Sequence, residues 1–123
     1  MSAPDAALGV ALVIPVLDEE KALPALVEVV GALDPAPAEV IAVDGGSSDA
    51  SRGIIRAAGW TLVKTAPGRG LQINAGVTAA TAPLVCVLHA DSVPPRDMVQ
   101  VVRETLAEPK IALASFTPLI RGE

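Results

Sequence analysis

Two short segments of this chain combine residue types that bind anions and divalent metal ions. The first is Gly68-Arg69-Gly70-Leu71-Gln72-Ile73-Asn74-Ala75-Gly76, in which one arginine stands between two glycines ahead of a polar helix start. The second is Val85-Cys86-Val87-Leu88-His89-Ala90-Asp91-Ser92, in which an apolar run ends in a single carboxylate. An arginine near a helix N-terminus can bind phosphate, and Mg²⁺ is often held by one or two carboxylates together with phosphate oxygens. The two segments therefore indicate a site for a phosphate and a metal ion.

A third polar segment, Val43-Asp44-Gly45-Gly46-Ser47-Ser48-Asp49, follows another apolar run. The Asp44 carboxylate can accept hydrogen bonds from a base or a ribose, and the two glycines let a ligand approach the backbone closely. The segment is equally compatible with a turn in which Asp44 caps the amides that follow it. Asp49 is interpreted as a helix-dipole residue, one turn into the next helix, rather than as a ligand contact.

The other polar positions also have structural interpretations. The loop around Arg69 is equally consistent with a solvated surface loop. Gln72 and Asn74 can face the same site, although Asn74 is also suited to a bond with a neighbouring loop. Asp91 is alternatively a cap of the turn that continues through Ser92.

Composition excludes several classes of function. The formal charge is 9 − 14 = −5, so no basic stripe exists to bind a nucleic-acid backbone. His89 is the only histidine, which rules out a His-rich metal cluster, and Cys86 is the only cysteine, which rules out an intrachain disulfide. Because Cys86 stands in an apolar run, we expect a buried, inert thiol.

Length and hydropathy favour one domain outside the membrane. The 123 residues suffice for a single α/β domain. The apolar run from Leu8 to Leu17 contains Pro15 and is too short to cross roughly 30 Å of hydrocarbon. No Lys or Arg precedes Lys21, so a signal peptide is not expected. We therefore predict a cytoplasmic protein without a transmembrane segment.

Apolar runs and helical periodicities alternate along the chain. The predicted strands are Val10–Ile14, with Pro15 ending its ladder, Glu39–Val43, Trp60–Lys64, Leu84–Leu88 and Ile111–Ile120, the last at a sheet edge because of Pro118. The predicted helices begin at Asp18-Glu19-Glu20, at Ser47 or Ser48, at Leu71 and at Pro94. This alternation predicts an α/β fold with a mainly parallel sheet in three layers.

The polar clusters all fall where predicted strands end. These clusters are Asp18-Glu19-Glu20, the segment from Asp44 to Asp49, and His89-Ala90-Asp91. Ligands of parallel sheets bind outside the carboxyl ends of the strands. We therefore expect the three clusters to form one site.

These motifs resemble those of family 2 glycosyltransferases, which have the GT-A fold. Val13-Ile14-Pro15-Val16-Leu17-Asp18-Glu19-Glu20 resembles the family's opening strand, the Asp44–Asp49 segment its Asp-Gly-Ser-x-Asp motif, and Leu88-His89-Ala90-Asp91-Ser92 its Asp-x-Asp metal motif. The pair Gly-Arg-Gly-x-Gln-x-Asn and Leu-His-Ala-Asp is similar to a bacterial subgroup of selenium-associated or uncharacterised transferases. The resemblance covers nearly the whole chain.

The resemblance implies a Rossmann-like nucleotide-binding half that binds a nucleotide-diphospho-sugar of the UDP or GDP type. It assigns the metal, Mg²⁺ or Mn²⁺, to Asp91. It implies that Asp44 meets the base and that the nucleotide pocket, the ribose and the pyrophosphate involve the following residues: Pro15, Asp18, Glu20, Gly45, Arg69, Asn74 and Ala90.

Two departures from the family pattern qualify these implications. His89 stands where the metal motif has its first Asp. Family members continue into an acceptor-binding half with a Glu-Asp catalytic-base segment, whereas no carboxylate lies between Glu108 and Glu123. An inverting transferase needs a general base near the acceptor hydroxyl. The sequence therefore predicts a truncated, donor-binding domain and assigns no catalytic residue.

Two other functions fit parts of the pattern. A nucleotidyltransferase relative of the same fold would have a Gly-rich basic loop after the first strand, where this chain has Asp18-Glu19-Glu20. A non-catalytic nucleotide-binding or self-associating module is the alternative. Without an acceptor half, apolar surface around Leu84–Leu88 and Ala112–Ile120 would be exposed, which predicts a homo-oligomer.

Overall fold

The computed structural model describes residues 8–106 and the backbone of residues 110 and 111. In this part of the chain, strands and helices alternate as the sequence predicts. The strands are β1 (Val10–Val16), β2 (Glu39–Asp44), β3 (Thr61–Lys64), β4 (Leu84–Val87) and β5 (Lys110–Ile111). The helices are α1 (Leu23–Gly31), α2 (Ser51–Ala57), α3 (Arg69–Ala79) and α4 (Met98–Leu106). Most of the predicted strand Ile111–Ile120 lies outside the described residues.

The five strands form one sheet in the order β3-β2-β1-β4-β5, and every pair of neighbours is parallel. The chain moves outward from β1 through β2 to β3, and then returns to place β4 and β5 on the other side of β1. The order therefore reverses at β1. Ligands of open parallel sheets bind at such a reversal, outside the carboxyl ends of the strands.

Helices cover both faces of the sheet, so the protein has three layers. Because side chains alternate along a strand, Leu12 and Ile14 pack in one layer with α1, α2 and α4. Ala11 and Val13 pack in the opposite layer with α3. These four residues are fully buried. The predicted three-layer α/β fold with a mainly parallel sheet is confirmed.

Cys86 lies in the core on β4. Burial raises the pKa of the Cys86 thiol to about 11. A thiol with this pKa keeps its proton at neutral pH and is a poor nucleophile. The predicted burial of Cys86 is confirmed, and the raised pKa agrees with an inert thiol.

β1 continues through Pro15, where the sequence predicts its end. Pro15 stays in register with Val43 of β2. Two residues earlier, the Val13 carbonyl accepts the N–H of Leu88 at 2.9 Å, on the β4 side. The backbone N–H and C=O groups of residues two apart are directed to the same neighbouring strand, so the backbone nitrogen of Pro15 is directed to the β4 side. The ladder between β1 and β4 has already ended there, at the pair Val13 with Val87. Its missing N–H breaks no ladder bond, and the predicted boundary is wrong.

α4 begins at Met98 rather than at Pro94, where the sequence predicts its start. Two further helices, α1 and α2, also begin later than predicted. α1 begins at Leu23 rather than at Asp18, and α2 begins at Ser51 rather than at Ser47 or Ser48. Neither serine caps α2, because no side chain bonds at its N-cap position. The polar residues ahead of both helices instead bond to one another, which holds them in loops.

Leu84–Leu88 does not form the exposed apolar surface that was predicted. None of these five residues is more than 6% exposed. Three of them pack with α1 and α4, and the other two pack in the α3 layer. The second segment of the predicted surface, Ala112–Ile120, lies outside the described residues. Within the described part of the chain, no helix is both long and apolar enough to cross a membrane.

Gly76 of α3 packs directly on the sheet, and Gly76→Ala is expected to destabilise the fold. A Cβ at position 76 would lie 2.4 Å from Val13 Cγ1 and 3.0 Å from Val43 Cγ2. Overpacking of this kind costs about 1–3 kcal/mol, which urea denaturation would detect. Gly70→Ala in the same helix is the control, because nothing lies within 4 Å of a Cβ there. Equal stability of Gly76→Ala and wild type would contradict the close approach.

Candidate functional site

The loop after β1 (residues 17–22, loop 1) and the loop after β2 (residues 45–50, loop 2) are bonded to each other. The N–H of Asp18 donates to Ser47 Oγ at 2.8 Å, and Asp18 Oδ1 accepts the N–H of Ser48 at 2.8 Å. Asp18 has a φ of +52°, a conformation that Asp and Asn tolerate better than most residues. The carboxylate predicted to line the pocket therefore holds loop 2.

Glu20 makes a second reciprocal connection between the loops. Its N–H donates to Asp49 Oδ2 at 3.1 Å, and its Oε1 accepts the N–H of Ala50 at 2.9 Å. Asp49 also accepts the N–H of Ser51 at 2.9 Å through Oδ1. It thus lies before α2, not one turn into it as predicted. Glu20 and Asp49 both hold the loops together.

Asp44, the last residue of β2, is 1% exposed and closes the turn that follows. Its Oδ2 accepts the N–H groups of Gly46 and Ser47, each at 3.0 Å, and its Oδ1 accepts the Ser47 hydroxyl at 2.5 Å. Burial alone would raise the pKa of Asp44, but the bonds from Ser47 and Gly46 and the Arg52 guanidinium at 3.3 Å lower it. This is the turn-capping arrangement that the sequence left open. Contact of Asp44 with a base stays a prediction.

Glu19 is the acidic residue of loop 1 that faces the cleft at the end of β1. Its N–H donates to Ser51 Oγ at 2.8 Å, while its carboxylate accepts no hydrogen bond from the described residues. Burial raises the pKa of Glu19, and the negative charges of Asp91 and Asp49 raise it further. Sequence reasoning selected its neighbours instead, because three consecutive acids give no signal for which one turns inward.

The cleft lies between loop 1 and α3, and its volume is about 140 Å³. A complete site for a small organic ligand usually measures about 300–1,000 Å³, so the cleft fits only part of a nucleotide. The lining residues are Pro15, Val16, Leu17, Glu19, Arg69, Gln72 and His89.

Arg69, the first residue of α3, connects the start of this helix to His89, which follows β4. It is preceded by Gly68 with a φ of +147°, a conformation that side chains disfavour. The Arg69 guanidinium contacts Nε2 of His89. Arginine can only donate, so Nε2 accepts, and a neutral His89 carries its proton on Nδ1.

Gln72 and Asn74 lie on different faces of α3. Gln72 is 4% exposed and reaches the strand ends. Two residues correspond to about 200° around a helix, so Asn74 points away from the sheet and is exposed. Asn74 therefore does not join the strand-end residues in this structure. Its predicted place near the ribose or pyrophosphate stays a prediction.

Asp91 lies in the turn after β4 and is exposed. Ser92 closes this turn, because its Oγ accepts the N–H of His89 at 2.9 Å and its N–H donates to the His89 carbonyl at 3.0 Å. Asp91 is thus not the cap, and its carboxylate makes no hydrogen bond to any described residue. The Ala90 side chain, by contrast, is buried in the core, so only its backbone can meet a ligand.

The structure thus divides the predicted residues into three groups: residues at the cleft, residues that order the surrounding turns and loops, and two whose side chains do not face the cleft, Asn74 and Ala90. Pro15 and Arg69 line the cleft, and Asp91 lies near enough to Glu19 to affect its pKa. The residues that order the surrounding turns and loops are Asp18, Glu20, Asp44 and Gly45. Residues 8–106 contain no group of three or more His, Cys, Asp or Glu side chains arranged to hold a metal. Any metal here would need ligand oxygens beside the carboxylates.

Asp44→Asn is expected to lower stability and to flatten its dependence on acid pH. The pKa of Asp44 is lowered from its ordinary value of 3.8, so its carboxylate stabilises the fold above the unfolded pKa. That contribution is lost as the pH falls through the folded pKa. One such proton limits the slope to about 1.4 kcal/mol per pH unit.

Urea denaturation at a series of pH values measures this effect. Between about pH 5 and pH 3, wild type should lose stability more steeply than Asp44→Asn. Glu28→Gln, which removes an exposed charge on α1, is the control. Parallel profiles for wild type and Asp44→Asn would show that the carboxylate is not stabilised by its turn.

The sequence profile of the family described as Glycosyl transferase family 2 matches residues 11–122 of the 123. Uncharacterized glycosyltransferases of Mycobacterium tuberculosis and Mycobacterium bovis are 37% identical to this chain over 84 residues. The matched region is 68% of this chain and 37% of theirs. The chain thus spans little more than a third of the length of these relatives.

Two solved structures show the same fold. One is glucosyl-3-phosphoglycerate synthase of Mycobacterium tuberculosis in complex with Mn²⁺, UDP and glucosyl-3-phosphoglycerate, with a TM-score of 0.70 and 21% identity over 84% of this chain and 41% of that one. The other is a mannosyltransferase of Pyrobaculum calidifontis in complex with GDP-Man and Mn²⁺, with a TM-score of 0.73 and 26% identity over 86% of this chain and 34% of that one. By its profile match and its sheet, this chain belongs to glycosyltransferase family 2 and has the GT-A fold.

Proposed function

We propose that this chain binds a nucleotide-diphospho-sugar of the UDP or GDP type and forms the donor site of an inverting glycosyltransferase. The observation that carries the proposal is the grouping of Asp91, Glu19 and Arg69 at the carboxyl edge of the sheet. The carboxylates of Asp91 and Glu19 accept no hydrogen bond from the described residues, and Arg69 lines the same cleft as Glu19. A diphosphate with a divalent cation complements these charges.

The donor atoms fit Mg²⁺ or Mn²⁺. Both ions prefer oxygen ligands, and the Asp91 carboxylate is exposed and free of hydrogen bonds within the described residues. Glu19 is the second carboxylate that would face the ion, since it lines the cleft, and burial together with the nearby charge of Asp91 raises its pKa. A bound ion would neutralise charge on the nucleoside diphosphate that leaves.

Arg69 would bind the diphosphate. Its guanidinium has five N–H donors, and only the contact with His89 engages it among the described residues. His89 cannot supply the carboxylate of the usual metal motif, but as an acceptor it orients the guanidinium. Positive charge from Arg69 then supplements the metal in binding the diphosphate.

The remaining predicted contacts keep their proposed places around the nucleotide. Pro15 lines the cleft, and Gly45, which is buried against the Gln72 amide, would act by shaping the turn after β2. Asp44 would meet the base only if its turn opened, because its side chain is 1% exposed. The other three residues proposed for this site are Asp18, Glu20 and Ala90. Asp18 and Glu20 would act by holding loop 2, and Ala90 through its backbone.

The reaction proposed for the complete enzyme is transfer with inversion. An acceptor hydroxyl oxygen forms a bond to the anomeric carbon while the bond from that carbon to the diphosphate oxygen breaks. The electron pair leaves with the nucleoside diphosphate, and a general base takes the hydroxyl proton. The residues assigned here bind and orient the donor; none is assigned as the base. The solved relatives with UDP or GDP-Man and Mn²⁺ support the donor class and the metal.

Calorimetric titration of UDP and GDP, each with and without Mn²⁺, tests the donor site. Wild type should bind one nucleotide more tightly with Mn²⁺. Asp91→Ala should weaken that binding at least 10-fold, or about 1.4 kcal/mol, because it removes the free carboxylate. Metal-dependent binding that survives Asp91→Ala would reject Asp91 as the ligand. No binding of either nucleotide would favour a non-catalytic assembly module.

Glu19→Gln separates loss of the site from loss of the fold. Removing this charge should weaken metal-dependent binding. It should not lower the urea midpoint at neutral pH, because burial and the charge of Asp91 disfavour the ionised Glu19. Glu28→Gln on α1 is the control for charge alone. A fall in stability parallel to the fall in binding would assign Glu19 a structural role.

Self-association is the second part of the proposal. β3 is an edge strand of the sheet, so its outer edge has no neighbouring strand among the described residues. An open edge of this kind can pair with a second copy of the chain. Light scattering at micromolar concentration should show a dimer or larger assembly, and a monomer would refute the homo-oligomer. A cytoplasmic location also stays a prediction.

A further inference from the structure

Gln72 is the only buried polar side chain of α3, and its amide connects three segments of the site. Nε2 donates to the carbonyl of Val16, the last residue of β1, at 3.0 Å. It also donates to the carbonyl of Val43, near the end of β2, at 2.8 Å. Oε1 accepts the N–H of Gly68 at 3.4 Å. One amide group thus joins two adjacent strand ends to Gly68, the residue that precedes Arg69 at the start of α3.

These bonds engage both ends of the amide. The NH₂ group has two donors, and each is directed to a different strand. Gly45 N–H also donates to the Val16 carbonyl, at 2.9 Å. The turn after β2 and the start of α3 are therefore held through the same strand-end carbonyl.

The amide also explains why position 45 is glycine. A Cβ on Gly45 would lie 2.9 Å from Gln72 Cδ and 3.0 Å from both Nε2 and Oε1. The backbone of Gly45 does not have a positive φ, unlike that of Gly46. Glycine is therefore needed at 45 for space rather than for conformation. Two motifs that are separate in the sequence, Asp-Gly-Gly and Gly-Arg-Gly-x-Gln, meet at this contact.

We propose that Gln72 is a positioning residue of the donor site, which sets Arg69 and the Gly45 turn relative to the ends of β1 and β2. This inference rests on the proposed nucleotide binding. Gln72 lines the cleft beside Arg69, but both ends of its amide are engaged by protein. It therefore acts on the ligand through Arg69 and Gly45.

A double-mutant cycle on Gly45 and Gln72 tests the coupling. Gln72→Ala and Gly45→Ala should each weaken nucleotide binding at least 10-fold, since one removes the amide and the other displaces it. The double variant should bind no more weakly than Gln72→Ala, because alanine at 72 leaves room for the Cβ at 45. Losses that multiply in the double variant would overturn the coupling.

A second readout needs no ligand. Amide hydrogen exchange at Gly45, Gly68 and Arg69 should accelerate in Gln72→Ala. Ile73→Ala is the matched control, because Ile73 packs in the α3 layer of the core. That variant should lower the thermal midpoint without selectively accelerating these amides. If Gln72→Ala does not fold, Gln72→Met keeps the length of the side chain without the amide.

The two readouts separate this inference from the proposed function. If wild type binds neither UDP nor GDP, the proposed function fails, and exchange at the three amides alone decides the role of Gln72. If wild type binds and Gln72→Met binds equally well with unchanged exchange, the positioning role is wrong. Faster exchange at these amides with weaker binding, and neither effect in Ile73→Ala, would establish it.

Discussion

The site depends on one constraint, which is that β1 is buried on both faces of the sheet. β1 is also the strand at which the strand order reverses. Its residues 10–14 are fully buried, so the strand cannot shift or twist without disturbing both layers of the core. At its carboxyl end the backbone still carries carbonyls, and leaving one of them buried without a donor would cost about 1–3 kcal/mol. Gln72 Nε2 and the N–H of Gly45 both donate to the carbonyl of Val16, the last residue of β1. The same bonds that complete the strand end therefore fix the start of α3 and the turn after β2.

Charge is distributed unevenly along loop 1, and this distribution defines the cleft. The carboxylates of Asp18 and Glu20 accept amide N–H groups of loop 2. Glu19 accepts no such bond from the described residues and lies near Asp91. Negative charge that no protein group compensates is unfavourable for the fold alone. A site that keeps uncompensated negative charge is suited to bind a cation. A carboxylate with a raised pKa, such as Glu19, is typical of functional sites.

The Asp44 side chain bonds to the turn that follows it within the family motif. Its carboxylate accepts two backbone amides and a hydroxyl, so the position of Gly45 follows from the chemistry of Asp44. Gln72 lies against the same glycine. Several motif residues in this structure therefore bond to one another, whereas Pro15, Glu19, Arg69, Gln72 and His89 line the cleft. Much of the motif therefore holds the loops that surround the cleft.

The sequence alone determined the three-layer α/β fold, because apolar runs without alternation require a sheet covered on both faces. It also placed Arg69 and Asp91 at the carboxyl edge, since each stands where an element ends or begins. It could not decide which of three consecutive acids, Asp18, Glu19 and Glu20, faces the cleft. That choice depends on which amides of loop 2 lie opposite each carboxylate. Likewise, the need for glycine at position 45 follows from an amide 27 residues later in the chain. Such contacts exist only once parallel strands place distant loops side by side, so the tertiary structure alone decided them.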